Sequence, residues 1–126
     1  MNITFRTAGI SGALFGLGAT ALAAIGSHAL APSLDADDLR RYVLAVALMF
    51  VHALALVAIC ALARSTIAGL LLTLSTVSMV LGVLLFCGSL LGRVLFGWPT
   101  ALAPFGGFAL MLGWLALGVW VAGARR

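Results

Sequence analysis

Few side chains in this 126-residue chain could bind a metal, move a proton or act as a nucleophile. Its two histidines, His28 and His52, could hold a haem or another metal through a ring nitrogen, or hydrogen-bond a quinone. Its two cysteines, Cys60 and Cys87, could do redox chemistry only if they met. Ser75, Ser78, Gly82, Ser89 and Arg93 recur at helical spacing, so they would form a polar stripe on one side of a helix. Such a stripe could line a path for a small, weakly polar solute. Its simpler role is packing, with each hydroxyl bonded to a carbonyl one turn earlier.

What is missing narrows the chemistry further. The only acids are Asp35, Asp37 and Asp38, clustered in one short segment, and lysine and glutamate are absent. Four spans in a short chain is the plan of the small multidrug transporters, but proton-coupled export of cations needs a carboxylate within the membrane. None is available here. Glycine loops that cradle phosphate, nucleophile elbows and zinc-ligand spacings are also absent, so the residues point to a protein that is not an enzyme.

The elements that must position these groups follow from composition. The chain is 64% hydrophobic and 8% charged, whereas soluble domains carry about 25% charged residues. This excludes a soluble enzyme, a disulfide scaffold and, despite the basic balance, a nucleic-acid binder. The charges punctuate four uncharged stretches, roughly 7–31, 42–63, 65–92 and 101–124, each near the ~20 residues that cross a bilayer as a helix. The expected fold is a single all-α domain over 1–126, an integral membrane four-helix bundle with antiparallel up-down topology. The first run exceeds the 7–15 residues of a secretory signal core and is read as a helix although Ala29-Leu30-Ala31 resembles a cleavage site.

Pro32 and Ser33 break the first helix, and Ser33 to Arg41 reads as a short amphipathic segment with Ser33 as its N-cap. Arg64-Ser65 is a tight connection between the second and third helices. Gly97-Trp98-Pro99 is a turn at headgroup level, and Pro104 is a structural turn residue opening the last helix. Arg6, Arg64, Arg125 and Arg126 fall on the side of both termini, against Arg40, Arg41 and Arg93 on the other. That balance places the termini in the cytoplasm.

Helix packing in lipid depends on small residues that let backbones approach. Gly9, Gly12, Gly16, Ala19, Ala23 and Gly26 share one sector of the first helix, and Gly106, Ala109, Gly113 and Ala116 form a comparable face on the last. These two faces and the serine stripe with Gly82 are expected to meet inside the bundle. His28 lies at the far end of the first helix and His52 about 15 Å into the second, so joint ligation of one metal or haem would need the second helix to begin deep or the chain to fold back. Cys60 and Cys87 lie near the ends of antiparallel helices, on opposite membrane faces, and read as small buried apolar residues.

With these residues in view, the chain resembles the domain-of-unknown-function 423 family of small four-helix membrane proteins. The matching segments are Ser11-Gly12-Ala13-Leu14, Ile25-Gly26-Ser27-His28-Ala29-Leu30, His52-Ala53-Leu54-Ala55-Leu56, Phe86-Cys87-Gly88-Ser89-Leu90 and Ala103-Pro104-Phe105-Gly106-Gly107. They occur in the family's order across essentially the whole chain. The resemblance implies a bacterial inner-membrane protein and marks His28, His52, Ser89, Pro104 and Gly106 as functional or structurally fixed. One departure is informative: Val46-Ala47-Leu48-Met49-Phe50-Val51 is apolar where the family places arginine, tyrosine and glutamine. A site built from those groups around the second histidine would be reduced here.

The expected function is therefore a non-enzymatic accessory, assembly or scaffold subunit without a cofactor, packing against the lipid bilayer and against another membrane protein or itself. The alternative is a cofactor or small-ligand module, with haem, metal or quinone at His52 with or without His28. A passive carrier using the serines and Arg93 is the third.

Overall fold

The computed structural model describes residues 2–65 and 69–123. It is a four-helix antiparallel bundle: α1 over Ile3–Ile25, a π-helical turn Gly26–Leu30, a 3-10 turn Ala31–Ser33, then α2 Ala36–Ser65, α3 Leu70–Phe96 and α4 Ala103–Gly123. No strand occurs among the described residues. All four helices are long and apolar enough to cross a membrane, so this is a multi-pass membrane protein.

The helix limits differ from the charge-free runs where a cap decides them. α1 starts before Arg6 because the Asn2 side-chain oxygen accepts the Thr4 N–H at 2.9 Å. The amphipathic segment is the opening of α2 itself. Its cap is Asp35, whose Oδ1 accepts the Asp38 N–H at 2.8 Å. Ser33 instead donates to the Leu30 carbonyl at 2.9 Å, within the 3-10 turn. Leu34 is extended at φ −93 and ψ 141, so the chain re-enters helix after it, too late for Ser33 to reach the first free amides. Asp37 and Asp38 occupy the first turn, pairing with Arg40 at 3.1 Å and Arg41 at 2.7 Å.

α3 runs past Arg93 to Phe96, since an arginine in a last turn suits the helix dipole and can reach headgroups. Gly97 closes it at φ 70, a left-handed conformation in which its N–H bonds to the Arg93 carbonyl at 3.0 Å. The Arg64-Ser65 connection lies within α2 on this side, and positions 66–68 lie outside the described residues, as do Arg125 and Arg126.

The helices pack as two pairs around a central contact. α1 lies against α2, α4 against α3, and α2 meets α3 between them. Burial follows this order: 39% and 44% of the most apolar windows of α2 and α3 are buried, against 17% and 22% for α1 and α4. Leu56, Ile59, Leu72 and Met79 with Ala8 form one core layer; Ala45, Val83, Cys87, Leu90 and Leu110 form the next. The glycine face of α4 therefore meets the serine stripe of α3, with Ser75 bonding Gly113 and Gly82 facing Leu110, whereas the glycine face of α1 turns to α2 and does not join them. A uniformly apolar helix carries no signal for which neighbour takes its small face, and each flank helix turns that face to its hairpin partner.

Candidate functional site

Most polar side chains buried in the bundle bond across or within helices. His52 is 3% exposed, sixteen residues into α2 and so about 24 Å from its first residue. Its Nδ1 donates to the Leu48 carbonyl at 2.7 Å, which leaves Nε2 as an acceptor. That acceptor takes the indole N–H of Trp114 on α4 at 3.0 Å, the rings meeting edge to face at 5.9 Å. Both nitrogens of a neutral imidazole are engaged. A metal or haem could reach Nε2 only by displacing Trp114.

Trp114 was not among the residues singled out by type and spacing. Its signal is its depth: tryptophan favours the interface, and one at the centre of a span needs a partner for its N–H.

His28 lies elsewhere, exposed in the π-helical turn at the end of α1. The chain widens there around Gly26. The Gly26 N–H points to the carbonyls of Leu22 and Ala23, and Tyr42 donates its hydroxyl to the same Leu22 oxygen at 2.6 Å. The Tyr42 ring stands where a Cβ on Gly26 would be. The two histidines are not brought together, and no three His, Cys, Asp or Glu side chains among the described residues could hold a metal jointly.

The serine stripe divides. Ser75, fully buried, donates to the Gly113 carbonyl of α4 at 2.8 Å rather than to its own helix. Its neighbour Thr76 does bond one turn back on α3, donating to the Leu72 carbonyl at 2.9 Å. Thr4 and Thr73 share a hydroxyl–hydroxyl bond of 2.9 Å, tying the starts of α1 and α3. Ser78 and Ser89 are buried at 6% and 8% exposure, while Arg93 is exposed. Between the levels of Ser75 and Ser89 the interior is filled by Met79, Val83 and Cys87. Cys60 and Cys87 are both free.

The glycines stand at the two hairpin seams. A Cβ on Gly12 would lie 2.9 Å from the Ala53 carbonyl oxygen, and one on Gly9 would lie 2.9 Å from Cys60 Sγ. A Cβ on Gly16 would sit 3.8 Å from that of Ala53. In the other seam, Gly106 abuts the Phe86 backbone, Gly82 faces Leu110, and a Cβ on Gly113 would come 2.6 Å from Met79 Cγ. Pro104, exposed in the first turn of α4, precedes the Gly106 contact. The segments around Phe86 and Gly106 thus meet at one crossing.

Two open apolar grooves flank these seams on the membrane face away from the termini. One, of about 340 Å³, lies between the end of α1 and the start of α2, lined by Gly26, Ser27, Tyr42, Val46 and Ala47 among others. The other, of about 350 Å³, lies between α3 and the α3–α4 loop, lined by Leu84, Leu85, Gly88, Ser89, Trp98 and Leu102 among others.

Fold and interior together define a small multi-pass membrane protein whose polar side chains cross-brace apolar helices. The family described as a protein of unknown function (DUF423) matches residues 22–107, and the chain belongs to it. The match runs from the last turn of α1 to the first turn of α4, taking in both histidines, both grooves and the Phe86–Gly106 crossing. No solved structure matches the chain.

Proposed function

We propose that this chain is a non-enzymatic accessory subunit of a bacterial inner membrane, with both termini cytoplasmic, that packs against another membrane protein or a second copy of itself. The observation that carries this reading is a contrast between inside and outside. The interior polar groups of His52, Tyr42, Ser75, Thr4 and Thr76 are engaged in the bundle's own hydrogen bonds. The flank helices offer regular apolar faces outward. On α4, Phe105, Phe108, Leu112, Leu115 and Val119 are exposed and repeat at alternating intervals of three and four, the spacing of a helix–helix seam. Glycine packing within the hairpins frees those faces for docking.

The arginine balance supports the orientation, and family membership supports the setting. Purification in mild detergent tests the role. A defined oligomer or a stoichiometric membrane partner, lost when Phe108 and Leu112 are changed to alanine, is the expected result. A strictly monomeric, partner-free chain contradicts it. A Soret band or stoichiometric metal in the same preparation would move the assignment to the cofactor module at His52.

A further inference from the structure

The two grooves are alike in volume and both apolar, but they differ in how their hydroxyls are used. In the α1–α2 groove the hydroxyls are already bonded: Ser27 donates to the Ala23 carbonyl at 2.9 Å and Tyr42 to that of Leu22. In the α3–α4 groove, Ser89 is 8% exposed and its hydroxyl has no hydrogen-bond partner among the described residues. A hydroxyl in an apolar setting that neglects its own helix's carbonyl is a donor awaiting an acceptor. Gly88 beside it forms open floor, with nothing within 4 Å of where its Cβ would be.

The mouth of this groove has interface chemistry. Ser89 lies seven residues before the end of α3 at Phe96, hence about 10 Å deep, with Arg93 one turn above it on the adjoining face. Phe96 and Trp98 stack there with ring centroids 5.1 Å apart, at the level tryptophan marks. On this membrane face Arg40 and Arg41 are each paired with an aspartate, whereas Arg93 makes no ion pair among the described residues.

We propose that this groove binds one anionic glycerophospholipid. An acyl chain lies along Leu84 and Leu85, an ester carbonyl accepts from the Ser89 hydroxyl at the level of Leu102, and the phosphate meets Arg93. The vertical order of apolar trough, groove-facing donor and exposed cation matches the order of tail, ester and phosphate in such a lipid. The inference stands apart from the accessory role, since it concerns a bound lipid and not a docked helix.

Native mass spectrometry of the full chain tests it, with release from micelles holding equal phosphatidylglycerol and phosphatidylcholine of the same chain length. The expected result is one retained lipid, with phosphatidylglycerol favoured about fivefold, the effect of one interfacial cation. Arg93→Gln brings that ratio toward one. Ser89→Ala weakens retention of both lipids about threefold, as loss of one intramembrane hydrogen bond does. Gly88→Leu, whose Cβ meets nothing within 4 Å, fills the floor and removes the retained lipid at an unchanged melting temperature. Equal retention of both lipids by the unaltered chain overturns the proposal, as does a lipid that survives Gly88→Leu. Should Gly88→Leu melt early, the Arg93→Gln ratio decides.

Discussion

The two hairpin seams use glycine differently. Between α1 and α2 the glycines all belong to α1 or to the π-helical turn that continues it, and α2 supplies the groups they admit, among them Ala53, Val57, Cys60 and the Tyr42 ring. Between α3 and α4 the exchange is mutual. Gly82 on α3 admits Leu110, while Gly106 and Gly113 on α4 admit Phe86 and Met79, and Ser75 bonds the carbonyl of Gly113 itself. A mutual seam locks both helices in register, because a shift that relieves one contact worsens another. A one-sided seam leaves α1, the least buried span, room to tilt as a body. The mutual α3–α4 seam is expected to be the stiffer of the two.

Substitutions at these seams should separate the two cases, read as unfolding free energies in mild detergent titrated with a denaturing one. Gly106→Val is expected to cost the most, about 3 kcal/mol or more, because the added atoms meet Phe86 backbone that cannot rotate away. Gly12→Ala should cost about 1–2 kcal/mol, since the carbonyl of Ala53 is also backbone but α1 can yield as a unit. If Gly12→Ala proved as damaging as Gly106→Val, the distinction between mutual and one-sided seams would collapse.

Smaller effects probe the ties rather than the seams. Trp114→Phe removes the donor that links α4 to His52 on α2 and should cost about 0.6 kcal/mol, the usual size of such bonds in membranes. A loss above ~2 kcal/mol would show that this tie, and not the α2–α3 contact, holds the hairpin pairs together. Gly118→Ala is the control. Nothing lies within 4 Å of its Cβ, so stability should stay the same or rise by up to about 1 kcal/mol from helix propensity.

How much of this was legible in the residues depends on what each type of signal encodes. Four spans, their order and the segregation of His28 from His52 follow from the placement of ten charges and from helical rise. Caps were less legible: Ser33 and Asp35 are both good capping residues, and only the extended backbone at Leu34 selects Asp35. Tyr42 and Trp114 were missed because nothing in an apolar run sets one aromatic apart from another when its partner, a carbonyl or a ring nitrogen, sits on another helix. Ser75 shows the same limit, its hydroxyl crossing to α4 where local habit would return it to α3.

The sequence by itself determined a membrane protein of four antiparallel helices with no ionised group in mid-span, because the bilayer makes burial of charge costly whatever the packing. Tertiary structure alone decided that the glycine face of α1 belongs to α2, that His52 is engaged by Trp114, and that Ser89 is left with its hydroxyl in a groove. In lipid, apolar faces are equivalent to the solvent. Pairing is therefore settled by shape and by hydrogen-bond geometry, neither of which composition or periodicity records.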